Sequence, residues 1–522
     1  MPPAIVRLTL AALLVQQLPP PFQTPWFRKP TRVVPMPPAH HLTVPAGFAV
    51  NIFADTLQFW ELGGVEAFRI AADALARSPL KFYWMIRVHG QSRSTGESRR
   101  FPVAALRRAL THPWAVAVGE VTRWPELRAG DRGLLRRLQV AQELGRRIEG
   151  HTAGATAEKL SALAAAGVSS DHEPITADEV LERARQGIAV MLRESSLRPD
   201  LAGLLAALEK APALTSRVML TADGAMPAFI RAHGFVDHSI RVALDGGVEP
   251  VDAYRMATLN PATYYHLDAD LGSIAPGRYA DVCLLGDLAE PRPEAVIARG
   301  TLVASKRRLL ASVPEPPWRR IFRTPRARLA TRWRCRAEDF ALPPRARYPV
   351  IRLVSVVISR LEDRPLASDD LSAALLDREG QWVAPAAVAG FADRLDGLAT
   401  TTTTDFNILA LGRRPEAMAQ AVNRLLRLGG GIVLVDKSET VFEVPLPIGG
   451  VMAHGTLEDA AEWEGALHAA LRERGYPYHD PLFTLFFMAA DFLPAVRLSP
   501  RGVWDVKRGR VLLPARRRGV HR

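Results

Sequence analysis

Glu120, His151, His172 and Asp223 are two imidazoles and two carboxylates with no thiolate among them, the donor types that hold a divalent ion. An ion bound by such a set brings the pKa of a water toward neutrality, and an Asp beside it can take the proton and pass it to a leaving group. Asp223 is therefore a candidate both as ligand and as catalytic proton carrier. Each residue has a plainer role when taken singly: the histidines as satisfied core residues, Glu120 as a partner of Arg123. Their places in the chain argue for a site.

From residue 46 onward, short β-branched or aromatic runs alternate with amphipathic helical patterns. Seven strands are predicted, over Phe48–Ala54, Leu80–Val88, Ala115–Glu120, Arg147–His151, Val168–His172, Ala189–Arg193 and Arg217–Ala222. Helices are predicted over Gly64–Arg77, Gly133–Leu144, Ala157–Ala166 and Ala177–Gln186, with Gly145, Gly167 and Gly187 placed to stop them. Such alternation over roughly 200 residues implies a parallel sheet, most simply a closed (β/α)8 barrel of the α/β class. The C-terminal strand ends then read Asp55, His89, Glu120, His151, His172, Arg193 and Asp223. All seven converge on the face where barrel active sites are built. His89 and Arg193, on the same rim, are candidates to bind substrate.

The rest of the chain divides into further units. Residues 1–45 are Pro-rich and atypical, 46–262 form the barrel, and 263–305 read as a small β-subdomain with strands in Leu271–Leu285 and Ala295–Ala304. A basic Pro- and Arg-rich linker spans 306–345, a second α/β domain 346–510 and a basic tail 511–522. In the second domain, Ile408–Leu411 leads into a helix over Pro415–Leu428, and Gly429, Gly430 and Gly431 turn into the strand Ile432–Val435. A phosphate-binding Gly loop precedes its helix, so this triple Gly reads as a helix stop.

Of 522 residues, 48% are hydrophobic and 23% charged, which excludes a disordered or collagen-like chain. No apolar run is long enough to cross a bilayer. The net charge of +13 is local: residues 306–352 carry 14 Lys or Arg against 3 acids and residues 507–522 carry 7 against none, leaving −5 on the remainder. A linker docked on its own protein explains Trp318 and Trp333 in the basic stretch better than base stacking does. Only Cys283 and Cys335 are present, which excludes a disulfide framework and points to a reducing cytoplasm. The apolar run Leu8–Val15 after a single Arg7 is a poor secretory signal.

Several segments together resemble the adenine deaminases of the metal-dependent amidohydrolase superfamily: GEVTRWP (119–125), GHTAGAT (150–156), SSDHEPITADE (169–179), VMLRESS (190–196), LTADGAMP (220–227), VDHSIRVAL (236–244), MATLNPA (256–262) and LGSIAPGRYADV (271–282). The likeness continues in DFNILALG (405–412), MAQAVNRLLRLGGGIVLV (418–435), PLPIGGVM (445–452) and RGVWDV (501–506), in a C-terminal domain that other amidohydrolases lack. The resemblance implies hydrolytic deamination of adenine at C6 to hypoxanthine and ammonia. Glu120 would be the metal-bridging carboxylate, His151 and His172 ligands of the second metal, and Asp223 ligand and proton shuttle. The cofactor implied is manganese or iron, with zinc a third choice. The implied partner is a small-molecule purine, with neither nucleic acid nor membrane, and a homo-oligomer stays open. Phe59, Trp60, Trp84 and Trp124 are candidate walls of a purine slot or else core residues.

The sequence also departs from this family. Members carry His-x-His at the end of the first barrel strand, and these 522 residues contain none. His40 and His41 are adjacent and fall too few residues before Asp55 to replace the pair. The N-terminus has therefore been replaced, by a shifted frame or start, or one metal position has been lost. The remaining Glu, His, His and Asp resemble the single-metal arrangement of amidosugar deacetylases. The run Thr400–Thr404 also stands where the family has a His near the position of Asp405. Hydrolysis of another cyclic amide or amidine, or a non-catalytic family remnant, are the alternative readings.

Overall fold

A run such as Lys81–Ile86 (KFYWMI) is rich in residues that favour a pleated surface, and it forms the second of seven parallel strands. The computed structural model describes residues 50–53, 56–92, 97–306, 308–329 and 333–518. Its first sheet runs in chain order: β1 (Val50–Phe53), β2 (Lys81–Ile86), β3 (Ala115–Val121), β4 (Arg147–Gly150), β5 (Ser170–Asp171), β6 (Ala189–Arg193) and β7 (Met219–Thr221). All six pairings are parallel. Helices α1 (Leu57–Gly63), α2 (Val65–Leu75), α3 (Val103–Leu110), α4 (Arg132–Glu143), α5 (Ala157–Ala165), α6 (Ala177–Arg185) and α7 (Pro227–His233) lie between or after the strands.

Side-chain alternation shows that this sheet curls into a barrel. Tyr83 and Met85 of β2 share one buried cluster with Met191 of β6 and Met219 of β7, although β2 and β7 stand far apart in strand order. Strands from both ends of the sheet thus contribute to one interior cluster, which Ala262, Tyr265 and Leu271 complete. The intervening Trp84 and Ile86 face the other way, against Phe68 and Leu106 of the helical layer. Asp55, His40 and His41, and the question of what residues 1–45 add to the barrel, lie outside the described residues.

After the barrel, β8 (Val282–Leu284), β9 (Ala295–Ala298), β10 (Thr301–Ser305) and β11 (Arg308–Leu309) form a four-stranded antiparallel sheet. Strand structure in Leu271–Leu285 is confined to β8. The residues before it turn instead, because Pro276 has no N–H to donate and Gly277 has φ +86°.

The basic stretch packs on the protein itself. In α8 (Trp318–Ile321), Trp318 stacks with Phe322, and both rings stack on Phe59 of α1. Trp333 donates its indole N–H to the Arg378 carbonyl at 3.2 Å and lies under the Arg518 guanidinium.

The C-terminal domain is built on a largely antiparallel nine-stranded sheet with a separate three-stranded sheet over Val496–Pro514. Helix α9 (Pro415–Leu428) covers one face of the large sheet with Met418, Val422 and Leu425, and it ends at Gly429 in the left-handed conformation. The triple Gly is therefore a helix stop. A further helix, α10 (Leu457–Arg472), packs on α7 of the barrel, where Glu464 accepts a hydrogen bond from the Ala228 N–H at 2.9 Å. No helix among the described residues is long and apolar enough to cross a membrane.

Candidate metal centre

Glu120 sits near the end of β3, His151 directly after β4, His172 directly after β5, and Asp223 two residues after β7. Parallel strands of one barrel bring these ends to a common rim. Gly150 sets the approach of β4 to β5, since a Cβ there would meet the Ser170 carbonyl oxygen at 2.6 Å. All four side chains belong to residues at most 8% exposed.

The structure brings these four together and adds a fifth. His151 Nδ1 lies 2.6 Å from Glu120 Oε2 and 3.2 Å from His172 Nε2. His172 Nε2 lies 3.4 Å from Glu120 Oε2 and 3.8 Å from Asp223 Oδ2. The fifth residue is Glu173, whose Oε1 stands 3.4 Å from His151 Nδ1 and 3.5 Å from His172 Nε2. Two overlapping groups result, Glu120 with His151 and His172, and His172 with Glu173 and Asp223, each with its donor atoms within 4.8 Å of one another. Reading one residue per strand end misses Glu173, because it is the second of two consecutive site residues. Its signal was adjacency to His172 in the segment SSDHEP.

Two buried arginines hold the carboxylates. Arg87, just beyond β2, donates to Glu120 Oε1 at 2.9 Å and leaves Oε2 toward the imidazoles. Arg193 donates to Glu173 Oε1 at 2.7 Å and also reaches Asp223 Oδ2 at 3.4 Å and Asp200 Oδ2 at 3.2 Å. Its guanidinium is thus engaged by three carboxylates. His89 donates from Nδ1 to the Gly90 carbonyl at 2.9 Å, and its buried Nε2 has no hydrogen-bond partner. Glu120 is paired with Arg87 rather than Arg123.

The electrostatics follow from burial and from these contacts. Burial pushes the Glu120 carboxyl up, but His151 and Arg87 overcome it and hold it well below the usual carboxylate range. Glu173 is likewise pushed up by burial and pulled well down by Arg193 and the two histidines. Burial lowers His172, yet its hydrogen bond to Glu120 and the charges of Asp223, Glu120 and Glu173 raise it to about 9. His151 is raised by the same balance, with Glu173 foremost against burial. His89, with no carboxylate to offset burial and Arg123, falls well below the ordinary imidazole value. Carboxylate oxygens and imidazole nitrogens crowded at these separations out of contact with water fit a divalent cation, which would replace the protons the imidazoles otherwise hold.

The aromatic side chains considered for a purine slot are elsewhere. Phe59, Trp60 and Trp84 are buried in the core between barrel wall and helices, and half-buried Trp124 lies beneath Lys159. The ring beside the metal centre is Phe492 of the C-terminal domain, edge-on to His151 with centroids 5.3 Å apart. From the same segment, the Ala489 carbonyl accepts a hydrogen bond from Ser92 of the β2 rim. The Thr400–Asp405 run is buried in the C-terminal domain, where Thr403 donates to Asp405.

Known proteins combine the same two parts. Residues 48–303 match the amidohydrolase family, and residues 354–510 match the adenine deaminase C-terminal domain. A provisionally named adenine deaminase of Halalkalibacterium halodurans is 36% identical over 85% of this chain and 77% of its own length. An adenine deaminase of Cenarchaeum symbiosum is 31% identical over 88% of this chain and 78% of its own. One from Cereibacter sphaeroides is 32% identical over 77% of this chain and 72% of its own. A barrel with carboxylates and imidazoles gathered at its strand ends, continuous with a C-terminal domain particular to one family, places the chain among the adenine deaminases of the amidohydrolase superfamily.

Proposed function

We propose that this chain hydrolyses adenine to hypoxanthine and ammonia at the centre formed by Glu120, His151, His172 and Asp223. The observation that supports this reading is the gathering of two imidazoles and three buried carboxylates at the catalytic end of the barrel, with Phe492 of the C-terminal domain against His151. Glu120, His151, His172 and Asp223 are the proposed holders of a divalent ion, manganese or iron with zinc a third choice. When bound, the ion supplies Lewis acidity, which makes a water available as nucleophile near neutral pH. Asp223 accepts a proton from that water as its oxygen bonds to C6, and returns it to the purine so that the exocyclic nitrogen departs as ammonia. Arg193 orients Asp223 and Glu173, and Arg87 orients Glu120. His89 presents an unprotonated Nε2 from the same rim and is the proposed acceptor for a purine N–H, with Arg193 acting on substrate through the carboxylates it holds.

The proposed partner is a free purine in the cytoplasm, within purine metabolism, with no role for nucleic acid or membrane. Hydrolysis of another cyclic amide or amidine is the second reading, favoured by the run Thr400–Thr404 where the family has a His near the position of Asp405. Purified protein supplied with Mn²⁺ or Fe²⁺ and screened for ammonia release from adenine, guanine, cytosine and cyclic amides separates the two. Release from adenine above the others supports the first reading. Release only from another compound replaces it.

A further inference from the structure

Alternation along β4, β5 and the turns after them sends neighbouring side chains to opposite sides. Toward the barrel interior, Ser170 donates to Glu149, and His151 meets His172 with Nδ1 and Nε2 3.2 Å apart. Thr152 and Asp171, next in sequence to those imidazoles, meet on the side of the helical layer. The Thr152 N–H donates to Asp171 Oδ1 at 2.8 Å, and the Thr152 hydroxyl donates to Asp171 Oδ2 at 2.6 Å. Arg183 of α6 closes the contact. Its Nε donates to Asp171 Oδ2, and its Nη2 donates to the Thr152 carbonyl at 3.2 Å and the Thr152 hydroxyl oxygen at 3.3 Å. Its Nη1 donates to the Glu179 carbonyl one turn earlier at 3.2 Å, so the helix itself directs the guanidinium.

Thr152, Asp171 and Arg183 are all wholly buried. A buried ion pair adds little stability over apolar side chains of the same volume, but directed bonds to both oxygens of one carboxylate admit a single arrangement of the two turns. Consecutive Cα atoms are ~3.8 Å apart, so a shift of Thr152 against Asp171 carries His151 against His172. His151 needs such a hold. A ligand imidazole usually donates its second N–H to a carboxylate or carbonyl, whereas His151 Nε2 is buried with no hydrogen-bond partner among the described residues. Gly150 keeps this turn tight, since a Cβ there would meet Thr152 Cγ2 at 3.2 Å.

We propose that Thr152, Asp171 and Arg183 are positioning residues that set the spacing of His151 and His172 for a divalent ion. They act through the two imidazoles, from the helical side of the strand ends. The inference rests on the metal-dependent reading above and adds three residues which that reading does not contain.

The test uses the full chain and Co²⁺, with affinity measured by competition against a chelator, coordination read from the visible absorption and folding checked by circular dichroism. Thr152→Val keeps the shape and removes the hydroxyl; it should weaken Co²⁺ binding about tenfold or more and shift the absorption bands. Thr152→Ser restores the hydroxyl and should stay within about threefold of wild type. Asp171→Asn should lose at least as much affinity as Thr152→Val, which carries the test alone if the Asn variant fails to fold. Asp281→Ala breaks a buried pair with Lys81 at the opposite end of the strands and should keep wild-type affinity, which separates positioning from stability. Wild-type affinity and spectrum in folded Thr152→Val, or equal losses in Thr152→Val and Thr152→Ser, with Co²⁺ lost in Glu120→Gln, would overturn this inference and leave the metal centre standing. Failure of the wild-type protein to bind Co²⁺ would overturn both.

Discussion

Lys81 Nζ donates to both carboxylate oxygens of Asp281 at 2.6 Å, joining β2 of the barrel to the small β-sheet through a pair in which Lys81 is wholly buried. Burial lowers the Lys81 ammonium while Asp281 raises it, so the lysine depends on that one carboxylate. Removing one member of a buried pair leaves the other uncompensated. Asp281→Ala should therefore destabilise the fold by about 3–5 kcal/mol in denaturant unfolding, and Lys81→Met combined with Asp281→Leu should cost distinctly less.

Metal content tests the ligand set independently of chemistry. Protein purified without chelator is expected to carry about one divalent ion per chain by elemental analysis, and the His151→Ala, His172→Ala double variant none. Equal content in both would reject the site.

Arg193 holds Glu173 and Asp223 from Nη1 and Asp200 from Nη2, three carboxylates on one planar group, a geometry that an ammonium cannot copy. Arg193→Lys keeps the charge but misplaces the carboxylates, so kcat for adenine should fall about tenfold or more with a smaller change in KM. Unaltered kcat would show that the fork is not needed.

The contact between the barrel and the C-terminal domain should depend on pH. Burial, aided by Asp480, raises the Glu464 carboxyl to about 7 despite its hydrogen bond from Ala228 and the charge of Arg231. Because the folded value exceeds the unfolded one, the contribution is full below about 4.5 and is lost as pH rises through about 7. Glu464→Gln should flatten that dependence, a difference on the order of 2 kcal/mol across the window, in unfolding curves measured between pH 4.5 and 8.

Strand ends were legible because a parallel barrel repeats one rule: the residue that closes each strand faces the rim. That rule locates Glu120, His151, His172, Arg193 and Asp223 with no knowledge of contacts. It passes over Glu173, because one residue per strand is all it selects, whereas β5 is only two residues long and the turn after it presents His172 and Glu173 together. Nor does it identify Arg87 as the partner of Glu120, since that pairing crosses from the β2 rim to β3. Trp84 illustrates the opposite case. Its type suits a purine slot, but the period-two alternation of β2 turns it outward into the helical layer and leaves Tyr83 and Met85 to the lumen. The approach of Phe492 to His151 joins residues 341 positions apart in two domains, a relation that no local pattern encodes.

The most direct measurement follows the adenine absorbance band and ammonia release with Mn²⁺- or Fe²⁺-loaded protein, wild type beside Asp223→Asn. The wild-type chain is expected to convert adenine to hypoxanthine, and the variant to lose that rate while its metal content stays near wild type, because an amide cannot accept the proton from water. Adenine left untouched by metal-loaded wild-type protein, or an undiminished rate in Asp223→Asn, would contradict the assignment of this centre to adenine deamination.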